Sequence, residues 1–233
     1  MNYKLLGAGI ASIAMLATSW SAQAADIPRP IYKGPAVIAY YNWTGFYIGI
    51  NGGYAWGTST WEALPGVTIS PKGYLIGGTL GYNYQMGSFV WGIEGDLDWS
   101  NVKGSVTCAV ILNCETSNSY LATLRARLGY AFDRWLPYIT AGAAYGDIKA
   151  TVSAPAFGLA ASVSKARFRW TAGAGLEYAF TGNWSAKIEY LYVDLGSFEA
   201  GTPPVFPNRV GLKEDIVRVG LNYKFSGPVF SRW

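Results

Sequence analysis

The sequence predicts an all-β chain folded as an eight-stranded antiparallel up-and-down barrel, and three observations carry that reading. Apolar and polar residues alternate with a period of two in eight separate segments, the pattern of strands with one face in an apolar medium. The connections between these segments alternate short and long. Aromatic residues gather at both ends of the segments, with smaller apolar residues between them. Only 14% of the 233 residues are charged while 16% are aromatic. A soluble domain carries about 25% charged residues, so much of this surface is expected to face lipid.

The chain opens with Lys4, an apolar run from Leu5 to Leu16, and Ala22-Gln23-Ala24. A positive charge, a short apolar core and an A-x-A site read as a secretory signal peptide over residues 1–24. The run is short for a spanning helix, which needs about 20 residues. Residues 25–42 hold Pro28, Pro30 and Pro35 without periodicity and read as a Pro-rich periplasmic extension, with peptidoglycan contact as a second reading. From Gly34 to Trp61 no side chain is charged, which invites a membrane helix. Its recurrent glycines argue otherwise, since each costs about 1 kcal/mol inside a helix.

Taken in order, the first strand sets Phe46, Ile48, Ile50, Tyr54 and Trp56 on one face. The second has Tyr74, Ile76, Leu80, Tyr82 and Tyr84, and the third Phe89, Trp91, Ile93, Leu97 and Trp99 backed by Glu94, Asp96 and Asp98. Tyr120, Leu124, Leu128, Tyr130 and Phe132 mark the fourth, backed by Arg125 and Arg127; Ile139, Ala141, Ala143 and Tyr145 mark the fifth, the least regular. In the sixth, Phe168, Trp170, Leu176, Tyr178 and Phe180 oppose Arg167, Arg169 and Glu177. The seventh sets Trp184, Ile188, Tyr190 and Tyr192 against Lys187 and Glu189. The eighth sets Val217, Val219, Leu221, Tyr223 and Phe225 against Ile216, Arg218, Gly220, Asn222 and Lys224.

Short turns are expected at Met86 to Ser88, Asp133 to Trp135 and Thr181 to Asn183. Long loops are expected from Thr58 to Pro71, Val102 to Ser117, Ala150 to Ser164 and Ser197 to Leu212. Short periplasmic turns and four longer extracellular loops mark a transmembrane barrel with both termini in the periplasm. A secreted barrel with its apolar face inside also fits the alternation. The two aromatic bands decide between them, because girdles belong at the two bilayer interfaces.

With the apolar face outward, the lumen receives Glu94, Asp96, Asp98, Glu177 and Glu189 together with Arg125, Arg127, Arg167, Arg169, Lys187 and Arg218. Buried charges persist only when paired, so an internal ion network is expected to plug a barrel just wide enough for side chains. Counting from the connection between the third and fourth strands puts Glu94 near Arg127 and Asp96 near Arg125. Cys108 and Cys114 are expected to form a local disulfide in an exported protein. The chain has no histidine, which excludes histidine-assisted nucleophilic catalysis; no enzyme, metal or cofactor is expected. The net charge of +4 is too small to argue for nucleic acid.

Arg218-x-Gly220-x-x-Tyr223-x-Phe225 resembles the closing-strand signal of bacterial outer-membrane barrels. That resemblance implies that Gly220, Tyr223 and Phe225 are read by the barrel-assembly machinery, although residues 226–233 follow as a short extension. WTGFYIGINGGYAW from Trp43, GYNYQ and GIEGD between Gly81 and Asp96, and LRARLGYAF from Leu124 resemble the small outer-membrane surface antigens of alphaproteobacteria, often labelled "porin family". The resemblance covers nearly the whole mature chain, including the Pro-rich start after the signal, and implies location in the cell outer membrane among its lipids and lipopolysaccharide. It further implies support of envelope integrity, with haem or host-ligand binding in some members. A narrow pore is the alternative.

Overall fold

Each alternating segment forms a strand in the computed structural model, which describes residues 41–61, 68–109, 112–199 and 209–225. The expected signal peptide, most of the extension and the 226–233 tail lie outside the described residues. The strands are β1 (Gly45–Trp61), β2 (Thr68–Ile69), β3 (Lys72–Met86), β4 (Phe89–Ala109), β5 (Leu112–Tyr130), β6 (Trp135–Ala154), β7 (Leu159–Ala179), β8 (Trp184–Phe198) and β9 (Val210–Lys224). All pairings are antiparallel, each long strand lies beside the next, and β1 pairs with β9 from Tyr47↔Lys224 to Trp61↔Val210. The sheet is therefore closed on itself, an up-and-down antiparallel barrel without a free edge along its wall.

Nine strands, rather than the expected eight, are present among the described residues. The additional one is β2, whose two residues fold back on β1 through Ser59↔Ile69 and Thr60↔Thr68. Two residues carry no alternation to read.

At one end, here the turn end, connections are tight. Gly87 joins β3 to β4 at a φ of 63°, Asp133 turns at 52° under a Phe132↔Trp135 bridge, and residues 180–183 join β7 to β8. At the other, hairpin end, the strands overrun the expected loops. β4 extends to Ala109 and β5 begins at Leu112, while β6 and β7 are separated only by the 3₁₀ turn Pro155–Phe157 and Gly158. Most of the stretches 102–117 and 150–164 is thus ladder, not loop.

The reason is an inversion of polarity along the strands. Low on β6 the outward residues Ile139 and Ala141 are apolar, and the inward Thr140 is polar and buried. Higher on the same strand the outward residues are Lys149, Thr151 and Ser153, and the inward ones are the buried Ile148 and Ala150. β4 behaves likewise, from Trp91 and Ile93 outside to Lys103 and Ser105 outside with Val102 buried. About 9–11 residues take a tilted strand across a bilayer, whereas β4 and β7 each run for 21. Their outer halves stand beyond the lipid-facing band and obey the ordinary rule of apolar inside, polar outside.

Register also departs from expectation. Ala109↔Leu112 matches a count from the connection, but irregularities between Thr107 and Ala109 and between Trp99 and Val102 each drop one residue. Glu94 consequently opposes Arg125, and Asp96 opposes Thr123. A bulge shifts everything beyond it, so the ladder partners differ from a simple count, yet both expected side-chain pairs form: Arg127 lies 3.6 Å from Glu94 and Arg125 2.6 Å from Asp96.

Candidate functional site

The barrel interior is built in three layers. Nearest the turn end lies a small apolar cluster of Trp43, Val90, Leu136 and Ala179. Trp43 precedes β1 and is 2% exposed. Its backbone N–H donates to Gln85 Oε1 at 2.8 Å and its indole Nε1–H to the Asp133 carbonyl at 3.2 Å. The residue therefore closes the mouth from a fixed position instead of lying loosely across it.

Above it, alternation on β4, β5, β7, β8 and β9 delivers charged side chains to one zone. Arg125 Nη2 lies 2.6 Å from both Glu94 Oε1 and Asp96 Oδ2, and its Nη1 lies 3.1 Å from Glu189 Oε2. Arg218 reaches Glu189 at 2.6 Å, Asp96 at 3.0 Å and Asp98 at 3.1 Å. Lys187 Nζ is 2.8 Å from Glu94, and Arg127 Nη2 is 2.7 Å from Glu177. All of these side chains are buried.

Neutral partners that the expected ion network did not include complete the zone. The Tyr47 hydroxyl donates to Glu94 at 2.8 Å and the Tyr138 hydroxyl to Glu189 at 2.9 Å. Thr79 and Thr123 donate to Asp96, while Ser185 and Asn222 donate to Glu177. The tyrosine rings fit because glycines face them: a Cβ at Gly175 would fall 2.5 Å from Tyr138, and Gly81 makes the same room for Tyr47. Inward parity was the signal that could have found all of them, since each is polar at a position facing the lumen.

Arg167 and Arg169 do not join this network. The β7–β8 ladder stops at Trp170↔Asp194, so both arginines lie above it at the rim. Arg167 donates to the Ser197 carbonyl, and Arg169 is exposed with its guanidinium against Gly196. Lys224 also lies apart, with its ammonium 4.2 Å from the Tyr41 ring centre.

The third layer, toward the hairpin end, is a large apolar core that includes Trp61, Leu75, Leu121, Ile148, Leu191, Leu212 and Ile216. Ile216 had been grouped with the polar face of its strand; it is inward but apolar. One carboxyl stands within this layer. Counted from Phe225, the crossing of β9 is complete by Asp215, which faces outward, as does the exposed Lys213. Glu214, one residue beyond, is 1% exposed and, among the described residues, accepts from Asn118 Nδ2 at 3.3 and 3.4 Å. Burial pushes its pKa up to about 7, with the Asp147 charge adding to the shift and the Asn118 hydrogen bond opposing it.

Cys114 is buried and disulfide-bonded; the side chain of Cys108, its expected partner, lies outside the described set, while the Cys108 backbone falls at a register irregularity. On β9, Gly220 faces the lumen opposite Lys187, and the Tyr223 ring lies 5.1 Å from Trp184. The Phe225 N–H donates to the Phe46 carbonyl at 2.9 Å, beside β1. Among the described residues no group of side chains could hold a metal ion.

Outward, the exposed apolar side chains run in a belt bounded by Tyr84, Phe89, Phe132 and Trp135 at one level and Tyr54, Trp56, Tyr74 and Trp99 at the other. An apolar belt between aromatic girdles around a polar interior defines an integral β-barrel of the bacterial outer membrane. Residues 10–225 match the family model described as "Outer membrane protein beta-barrel domain", and the chain belongs to that family. It is 36% identical to the 31 kDa outer-membrane immunogenic protein of Brucella melitensis, across 93% of this chain and 98% of that protein. It is 32% identical to the 22 kDa outer membrane protein of Rhizobium leguminosarum, across 79% of each. Among solved structures it resembles the outer membrane protein OprG of Pseudomonas aeruginosa with a TM-score of 0.52 and 16% identity, across 79% of this chain and 97% of that one. The protein is located in the outer membrane.

Proposed function

We propose that this protein is a closed surface barrel that supports envelope integrity and surface interaction, and not a channel. In this reading the wall is an eight-stranded barrel with β2 as an accessory to β1. Its turn end lies in the periplasm with the Pro-rich extension, and its hairpins stand outside the cell. The observation that carries the reading is the layered interior: an ion network closed on one side by Trp43 and its neighbours and on the other by the Leu121–Ile148–Leu212 core. A hydrated path would have to breach two apolar layers as well as separate the paired charges.

The interior carboxylates of the network are engaged by cations and hydroxyls, which leaves them structural rather than catalytic. Surface interaction would then fall to the hairpins. The tip of the β6–β7 hairpin presents Phe157 and Leu159, 66% and 67% exposed. A Cys108–Cys114 disulfide would pin the end of the neighbouring hairpin. Planar-bilayer recording of the full chain tests the proposal. The expected trace shows no stable unitary steps; reproducible steps would establish the porin alternative.

A further inference from the structure

A recess of about 640 Å³ opens on the outer surface at the hairpin end, where β7 parts from β8. Its wall is Thr58 and Thr60 of β1, Lys213 of β9, and Asp194 and Gly196 of β8, with Arg169 of β7 reaching across. The site is shaped by the chain itself. Asp194 Oδ1 accepts the Gly196 N–H at 2.7 Å and holds Gly196 at a φ of 66°. A Cβ there would come within 2.6 Å of Arg169 Nε, so only glycine gives the guanidinium its seat. Arg167, fastened to the Ser197 carbonyl, anchors the strand that carries Arg169.

Electrostatically the recess is unbalanced. Neither Arg169 nor Lys213 forms a salt bridge among the described residues, and Asp194 spends one oxygen on the Gly196 turn. Thr58 and Thr60, each with a hydroxyl to donate, line the same space. Planar and point-like cations with hydroxyl donors form the donor set of a phosphate-type oxyanion site.

Its height selects the source of that anion. Trp56, Asp215 and Tyr192 share one level of the ladder, the outer girdle, and Thr58, Lys213 and Asp194 share the next outward-facing level. Two residues advance a strand by about 6–7 Å, and the headgroup layer outside a hydrocarbon core is about 5–7 Å deep. The recess thus stands where phosphates of outer-leaflet lipid lie. We propose that it binds the phosphorylated headgroup of an outer-leaflet glycolipid, with Arg169 and Lys213 as the charged contacts and Thr58 and Thr60 as hydrogen-bond donors. The proposal rests on the outward orientation of the hairpins given above.

The test uses the full chain in detergent, with lipid A bisphosphate, dephosphorylated lipid A and inorganic pyrophosphate as probes. Heat-modifiable gel migration is recorded for every sample. The expected result is saturable retention of the bisphosphate over the dephosphorylated form, lowered about tenfold or more by Arg169→Ala with Lys213→Ala. Arg169→Lys with Lys213→Arg should restore most of it, and Lys149→Ala, elsewhere on the exposed surface, should leave it unchanged. Pyrophosphate competing only at millimolar concentration assigns the site to the lipid headgroup. Tight, residue-dependent binding of pyrophosphate alone assigns the same chemistry to free phosphate. Equal retention by the wild type and the double alanine variant, both heat-modifiable, overturns the site. Loss of heat-modifiability in the wild type would instead count against the barrel.

Discussion

Replacing Arg125 by methionine removes the cation at the centre of the interior while keeping an unbranched side chain of similar reach. Arg125 is fully buried and lies within 3.1 Å of Glu94, Asp96 and Glu189. Breaking a buried ion pair from one side costs about 3–5 kcal/mol, because a charge is left uncompensated. Here compensation is partial: Glu94 keeps Lys187 at 2.8 Å, while Asp96 and Glu189 keep Arg218 at 3.0 and 2.6 Å. The lower end of the range, about 3 kcal/mol, is therefore expected. With a urea slope of about 2 kcal/mol per molar, the unfolding midpoint in lipid vesicles should fall by about 1.5 M. A cycle with Glu94→Gln should return a coupling of about 1 kcal/mol or more, since the two groups are in contact. Arg125→Met should still give no conductance, because the apolar layers above and below are untouched. An unchanged midpoint would show that the ion pairs contribute nothing net. Unitary steps in this variant would show that the network alone closes the lumen.

The remaining expectations concern the two ends of β9. Glu214 has a folded pKa of about 7 against 4.5 for the free group, so it binds its proton more tightly in the folded state. The folded protein should lose about 3 kcal/mol of stability as pH rises from about 4.5 through 7, with the full advantage present below that window. Glu214→Gln should abolish this dependence in pH-stepped urea titrations, and an equal slope in both proteins would contradict the burial argument. Phe225→Ser removes a ring packed 5.5 Å from Tyr223 at the junction with β1. Outer-membrane levels should fall far more for it than for deletion of residues 226–233, and a reversed order would move the assembly signal to Trp233.

The lipid-facing half of this protein was legible because hydrocarbon imposes one simple rule, apolar outward, and the aromatic levels from Phe46 and Phe89 to Trp56 and Trp99 mark its limits. What lies beyond those limits was not. Ile148 and Val102 continue the same parity as Thr140 and Glu94, but their polarity is opposite, so a pattern keyed to apolar-out ends where the strand does not. The ion network was foreseeable as a set, and Glu94–Arg127 and Asp96–Arg125 as two of its pairs, but its register was not. Arg125 and Glu94 face each other only because two irregularities shift β4 against β5, and nothing in the spacing of Trp99 to Val102 announces a bulge. Arg167 and Arg169 had the right parity at the wrong height. Tyr47 falls opposite Phe46 and Ile48 by phase, but nothing in its spacing marks it as a partner of Glu94, and Tyr138 stood in the least regular strand.

The position of Arg218 has a consequence for how the wall is completed. It lies on the last strand yet touches Asp98, 120 residues earlier, and Asp96 beside it. An unfinished sheet, with every strand but the last in place, would leave those acids facing a gap with one cation too few. Joining β9 to β1 therefore brings Asp98 its cation and gives Asp96 a second one beside Arg125. The seam is locked from inside the cylinder, and a sheet that fails to meet its own first strand is marked as incomplete by the charge it still carries.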